Sequence, residues 1–104
     1  MPVNFLGIKY KQPNEIVACG RWGVNFAPDL VANETISKAT ITVYDSDDKD
    51  VTTELVDGAA EIDGAKVSIG FKDGDDGENY KVTIVIETDL GLYEGDFEIY
   101  VRER

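Results

Sequence analysis

Gly77-Glu78-Asn79-Tyr80-Lys81-Val82-Thr83-Ile84-Val85-Ile86 is the stretch that decides how this chain folds. From Tyr80 onward the apolar side chains recur at every second place. Successive side chains on a strand point to opposite faces, so Tyr80, Val82, Ile84 and Ile86 share one face and Lys81 and Thr83 the other. Val, Ile, Thr and Tyr also fit a pleated, half-buried surface.

The same alternation recurs elsewhere. Ala39-Thr-Ile41-Thr-Val43, Ala65-Lys-Val67-Ser-Ile69-Gly-Phe71 and Phe97-Glu-Ile99-Tyr-Val101 each present one apolar and one polar side. The pattern predicts strands over 35–45, 64–72, 79–88 and 93–102, a further strand over 15–22, and another at 51–56. Between them lie turn formers: Asp57-Gly58, Asp63-Gly64, the run Lys72-Asp-Gly-Asp-Asp-Gly-Glu78, and a short hairpin at Asp89-Leu-Gly91-Leu. Residues 25–33 read as a loop with room for one helical turn, because Pro28 is tolerated at the start of a helix. No periodic run calls for a longer helix. Six or seven short strands with turns between them indicate a single antiparallel β-sandwich.

Tyr80 sharpens that reading. Immunoglobulin-like sandwiches often carry a tyrosine at the start of a late strand, two residues before an inward core residue, with its hydroxyl bonded back to the corner backbone. Val82 then stands where antibody domains have their second cysteine. The alternative is an ordinary aromatic at a strand start. Trp22 reads as a core residue because of the surface it hides, or as an exposed anchor at a partner interface. The expected organisation is an N-terminal extension, 1–10, followed by an immunoglobulin-like domain, 11–104.

Composition narrows the function. The 104 residues hold 10 basic and 21 acidic side chains, a net charge of −11, with no histidine and one cysteine. Such a charge disfavours binding to phosphate backbones and to anionic membranes. Without histidine there is no Ser-His-Asp or Cys-His machinery and no histidine metal site. Cys19 has no histidine to generate a thiolate and reads as an inert, half-buried thiol. One cysteine cannot form an internal disulfide or hold an iron–sulfur cluster. Glu87, Glu94, Asp96 and Glu98 lie mostly on the outward face of the last hairpin, a solvated placement that suits a surface better than a glycosidase cleft. Asp45, Asp47 and Asp50, with Asp73, Asp75 and Asp76, invite a calcium hypothesis. Neither run fits the ligand spacing of an EF-hand, and the same residues serve as solvated turn formers. No cofactor, small-molecule substrate or catalytic residue is expected. The first residues show no basic stretch followed by an apolar run, so no signal peptide is expected.

Several short motifs then follow in a familiar order: Lys11-Gln-Pro13-Asn-Glu15, Trp22, Leu30, Glu34-Thr-Ile36, Gly77-Glu-Asn-Tyr80-Lys-Val82-Thr, Thr88-Asp-Leu-Gly91 and Phe97-Glu-Ile99-Tyr-Val101. In this order the chain resembles a family of small bacteriophage and prophage virion proteins described as fibre–tail adaptors or immunoglobulin-like virion proteins. Glu34 stands where that family usually has aspartate. The resemblance spans 11–102 and implies a non-enzymatic structural role in the tail or fibre region. Partners would be other virion proteins or further copies of the chain, and the location a phage particle or a bacterial cytoplasm. It points to the loop 23–34 as partner surface, with Asn25, Phe26, Pro28 and Leu30, and to the edge of the last strand, whose unpaired backbone groups could extend a partner's sheet. A free-standing acidic binding module for a basic or cell-surface partner is the alternative. A DNA mimic ranks lower, because the carboxylates bunch at turns among basic residues.

Overall fold

Strand β6 (Asn79–Thr88) lies inside the larger of two sheets and buries Tyr80, Val82, Ile84, Ile86 and Thr88 on one face. The computed structural model describes residues 3–103. On one side β6 pairs antiparallel with β3 (Ile36–Tyr44), which sets Val43 opposite Val82 and Ile41 opposite Ile84. On the other it pairs antiparallel with β7 (Leu92–Val101), setting Val82 opposite Phe97 and Tyr80 opposite Ile99. Inward residues therefore face inward residues across each ladder, the register that a half-buried sheet enforces.

The second sheet has three strands in the order β2-β5-β4: β2 (Gly23–Asn25), β5 (Lys66–Phe71) and β4 (Val56–Asp63). Val24, Val67, Ile69 and Phe71 face the first sheet and close the core with Phe97, Ile99 and Val101. Phe71 joins the layers: its ring meets Phe97 edge-on at 5.9 Å and lies 6.0 Å from Trp22. Such aromatic pairs add stability beyond the area they hide. Among the described residues the fold is an all-β sandwich of seven strands.

The four strands read from alternation are present within two residues. Three other expectations change. Residues 15–22 are not a strand: Val17 makes one bridge to Phe71, then the chain turns, with Arg21 N–H donating to the Ala18 carbonyl and Gly20 at φ +101°. Only glycine adopts that conformation readily, so pairing breaks there and resumes at β2. The stretch 51–56 is mostly one helical turn, α1 (Thr52–Leu55), favoured because Asp50 Oδ1 accepts from both the amide and the hydroxyl of Thr52. Asp57-Gly58, read as a tight turn, lies inside β4 at an irregularity in its register with β5, where Gly58 takes φ +87°. An edge strand tolerates such a bulge because half of its ladder has no partner.

The segment set apart as 1–10 contributes strand β1 (Val3–Lys11), which runs parallel to β7 with a register shift between Phe5 and Ile8. The larger sheet is thus ordered β1-β7-β6-β3, antiparallel apart from that pair. The edge of β7, expected to be open to a partner, is covered by β1. The open edges of this sheet are β1 and β3.

Candidate partner-binding surfaces

One end of the sandwich, where β6 begins, gathers both acidic runs. The segments 45–54 and 72–78 hold nine carboxylates and two lysines. Ser46 ties them together, donating from its amide (3.3 Å) and its hydroxyl to Glu78 Oε1. A depression of about 400 Å³ lies between them, with Val51, Leu55 and Tyr80 among its walls. Four of the carboxylates, Asp45, Asp50, Asp76 and Glu78, accept from backbone amides. Asp45 Oδ1 accepts from Asp47 N–H and Lys49 N–H at 2.9 Å each, and Asp76 Oδ1 accepts from Glu103 N–H at 2.8 Å. Hydrogen bonds from Thr52 and Ser46 hold the Asp50 and Glu78 carboxyls below the usual carboxylate range. The six aspartates weighed as calcium ligands do not converge: among the described residues no group of three or more carboxylate or thiol side chains is placed to hold a metal ion.

Beneath this end sits Lys11, 1% exposed. Its ammonium donates to the carbonyls of Gln12 (2.8 Å), Pro13 (3.4 Å) and Asp73. Burial pushes its pKa down, opposed by the nearby charges of Glu15 and Asp73. The Pro13 turn is held in its own right, with Gln12 N–H donating to Glu15 Oε1 at 3.1 Å. Tyr80 completes the corner: its buried hydroxyl accepts from Asp75 N–H at 3.0 Å. One cation and one phenol thereby pin β1, the Pro13 turn and the acidic loop to each other.

The opposite end carries a second buried lock of opposite charge. Glu34, 9% exposed, accepts from the Thr88 hydroxyl through Oε2, and from Val31 N–H (3.0 Å) and the Tyr93 hydroxyl (3.3 Å) through Oε1. Thr88 Oγ1 in turn accepts from Leu90 N–H and Gly91 N–H, both at 3.1 Å. Thr35 N–H donates to Asp89 Oδ1 at 3.0 Å. These bonds join the loop 26–35 to the hairpin 88–92. The Thr88 hydroxyl is the main reason that the Glu34 carboxyl lies below its ordinary range, and the bond to Glu34 raises the Tyr93 phenol.

The proposed contact residues separate. Asn25 is exposed, its Oδ1 accepting from Ala27 N–H at 3.0 Å where the following turn begins. Pro28 is exposed within a 3-10 turn, Ala27–Asp29. Leu30 is half-buried and packs on the core. Phe26 is not a surface residue: it is 0% exposed, because Phe26 N–H extends the β2–β5 pairing by donating to the Ala65 carbonyl and the ring turns inward. Trp22 is buried, with the Arg21 guanidinium 5.8 Å from its ring. Cys19 is exposed, not half-buried, because it lies in the turn that interrupts the expected strand; its Sγ is 3.7 Å from Ser68 Oγ. Alternation did not pick out Val31, Leu90 and Leu92, which are 59%, 66% and 55% exposed at the Glu34 end. The available signal was a carboxylate three residues after Val31 and a Thr-Asp-Leu-Gly turn, neither of which carries periodicity.

Fold and surfaces together define the class: a small all-β sandwich whose marked features are two locked, differently faced ends. The profile of the podophage GP4 fiber-tail adaptor protein gp77 family matches residues 11–102, nearly the whole length, and the chain belongs to that family. No curated protein matches it. Among the residues behind the resemblance, Lys11, Glu15 and Tyr80 fall in the lock at the acidic end and Glu34 and Thr88 in the lock at the other, while Trp22, Val82, Phe97, Ile99 and Val101 are core. No helix among the described residues is long and apolar enough to cross a membrane.

Proposed function

We propose that this chain is a non-enzymatic adaptor of a phage or prophage particle, joining components of the tail and fibre region by protein–protein recognition. Membership of the adaptor family over 11–102 carries the reading. The architecture supports it. Two well-separated loop clusters are held rigid by buried charged groups, and rigid loops bind without the entropic cost of ordering. A net charge of −11 argues for protein partners over nucleic acid or lipid. The Tyr80–Asp75 bond favours an immunoglobulin-like corner. In this reading residues 1–10 are an extension that shields the edge of β7 and leaves recognition to the ends.

The test is a gene deletion with complementation in vitro. Particles made without this chain are expected to lack fibres and regain them when the purified protein and fibres are added. Fibres that attach normally in its absence would refute the role.

A further inference from the structure

Val31 and Leu90 are among the most exposed large apolar residues described. Their own backbone amides hang from one buried pair: Val31 N–H on Glu34, and Leu90 N–H on Thr88, whose hydroxyl is bonded to Glu34. A buried carboxylate and hydroxyl are thus used to fix the positions of two side chains that the core does not need. Leu92 lies at the same end on β7 but on the opposite sheet face from Tyr93, where it lines a groove of about 110 Å³ with Lys38, Thr40, Val85 and Glu87. Two protruding apolar side chains on preorganised loops suit an interface centre, because rigid apolar anchors bind at low entropic cost.

The charge around it selects the occupant. Residues 26–37 and 86–94, which build this end, contain five carboxylates, of which Glu34 is buried, and no lysine or arginine; Lys38 follows them on the outer sheet face. A lipid surface of anionic headgroups is repelled by that rim. A protein recess that is apolar at its centre and edged with lysine or arginine is complementary to it. We propose that the tip formed by Val31 and Leu90 is the docking surface for another virion protein, one presenting an apolar recess with a basic rim. This deepens the adaptor reading and rests on it.

The experiment titrates purified chain onto particles made without it and measures the bound fraction. Wild-type chain is expected to bind. Leu90→Asp and Val31→Asp, changes at exposed positions that leave the fold intact by circular dichroism, are expected to weaken binding by roughly tenfold each. Ile16→Asp, an equally exposed apolar position away from the tip, is expected to bind like wild type. If the tip variants bind as well as wild type, or Ile16→Asp loses as much as they do, the docking surface is wrong and the adaptor role stands. If wild-type chain does not bind at all, both fail. Binding that depends on Leu90 to vesicles of phosphatidylcholine and phosphatidylglycerol, in place of particles, would overturn the choice of a protein partner.

Discussion

Where β6 starts, a buried ammonium gathers three backbone carbonyls; where β6 ends, a buried carboxylate gathers two hydroxyls and an amide. Both devices solve the same problem. Loops of a small sandwich expose backbone groups that need partners, and one charged side chain with several lone pairs or protons serves many of them together. The faces they hold up differ. The Lys11 end presents carboxylates, four of them occupied with amides. The Glu34 end presents Val31, Leu90 and Leu92. A buried charge therefore says that a loop is fixed, and only the outward side chains say what it is fixed for.

That contrast can be broken in graded ways. Removing the shared foundation is most damaging. Phe71→Ala deletes the ring that touches both Trp22 and Phe97, and is expected to cost about 3–5 kcal/mol of stability by urea unfolding while disturbing both ends. Lys11→Met keeps the length and the packing but takes the ammonium from three carbonyls, of which that of Gln12 retains the Glu15 N–H. A loss of about 2–3 kcal/mol is expected, with faster amide exchange near Gly74 and Asp75 and little change near Leu90. Thr88→Val is the mirror experiment. It removes one donor to Glu34 and one acceptor for Leu90 and Gly91, for an expected loss of about 1–2 kcal/mol, with the change in exchange confined to 31–35 and 88–92.

Acid titration tests the carboxylate side. Hydrogen bonds depress Glu34, Glu78 and Asp50 in the folded chain. Groups depressed on folding contribute stability that is present above their unfolded pKa and is lost as pH falls through the folded value. Stability is therefore expected to hold at neutral pH and to drop from about pH 5 downward. In Thr88→Val the drop should be shallower, because Glu34 loses the first cause of its depression. Leu90→Asp lies at the small end of the series for stability, within about 0.5 kcal/mol of wild type. Its expected effect is on docking.

Period-two alternation carried most of the fold. It reads directly on core packing, so β3, β5, β6 and β7 could be drawn from their apolar residues alone. It failed where backbone conformation outweighs side-chain pattern. Gly20 breaks a run of residues that suit a strand, and Asp50 holds Thr52 at the start of a helical turn in a segment of strand-forming residues. β1 escaped because its apolar residues lead into Gly7 and a register shift, so no uninterrupted alternation marks it. Within the loop 23–34, local pattern did not say which side chains face out: Phe26 continues the inward face of β2, whereas Val31 lies past the 3-10 turn and is exposed. The motif residues Glu34 and Thr88 were visible as landmarks, yet their meeting across 54 positions is a tertiary fact that no local pattern encodes.

The most direct test is native-state hydrogen exchange at the amides of Val31, Leu90 and Gly91. If these loops are built surfaces, the three amides are protected well beyond exposed-loop rates in the wild-type chain and lose that protection in Thr88→Val. Exchange at free-loop rates in wild type, or protection untouched by the substitution, would contradict the account.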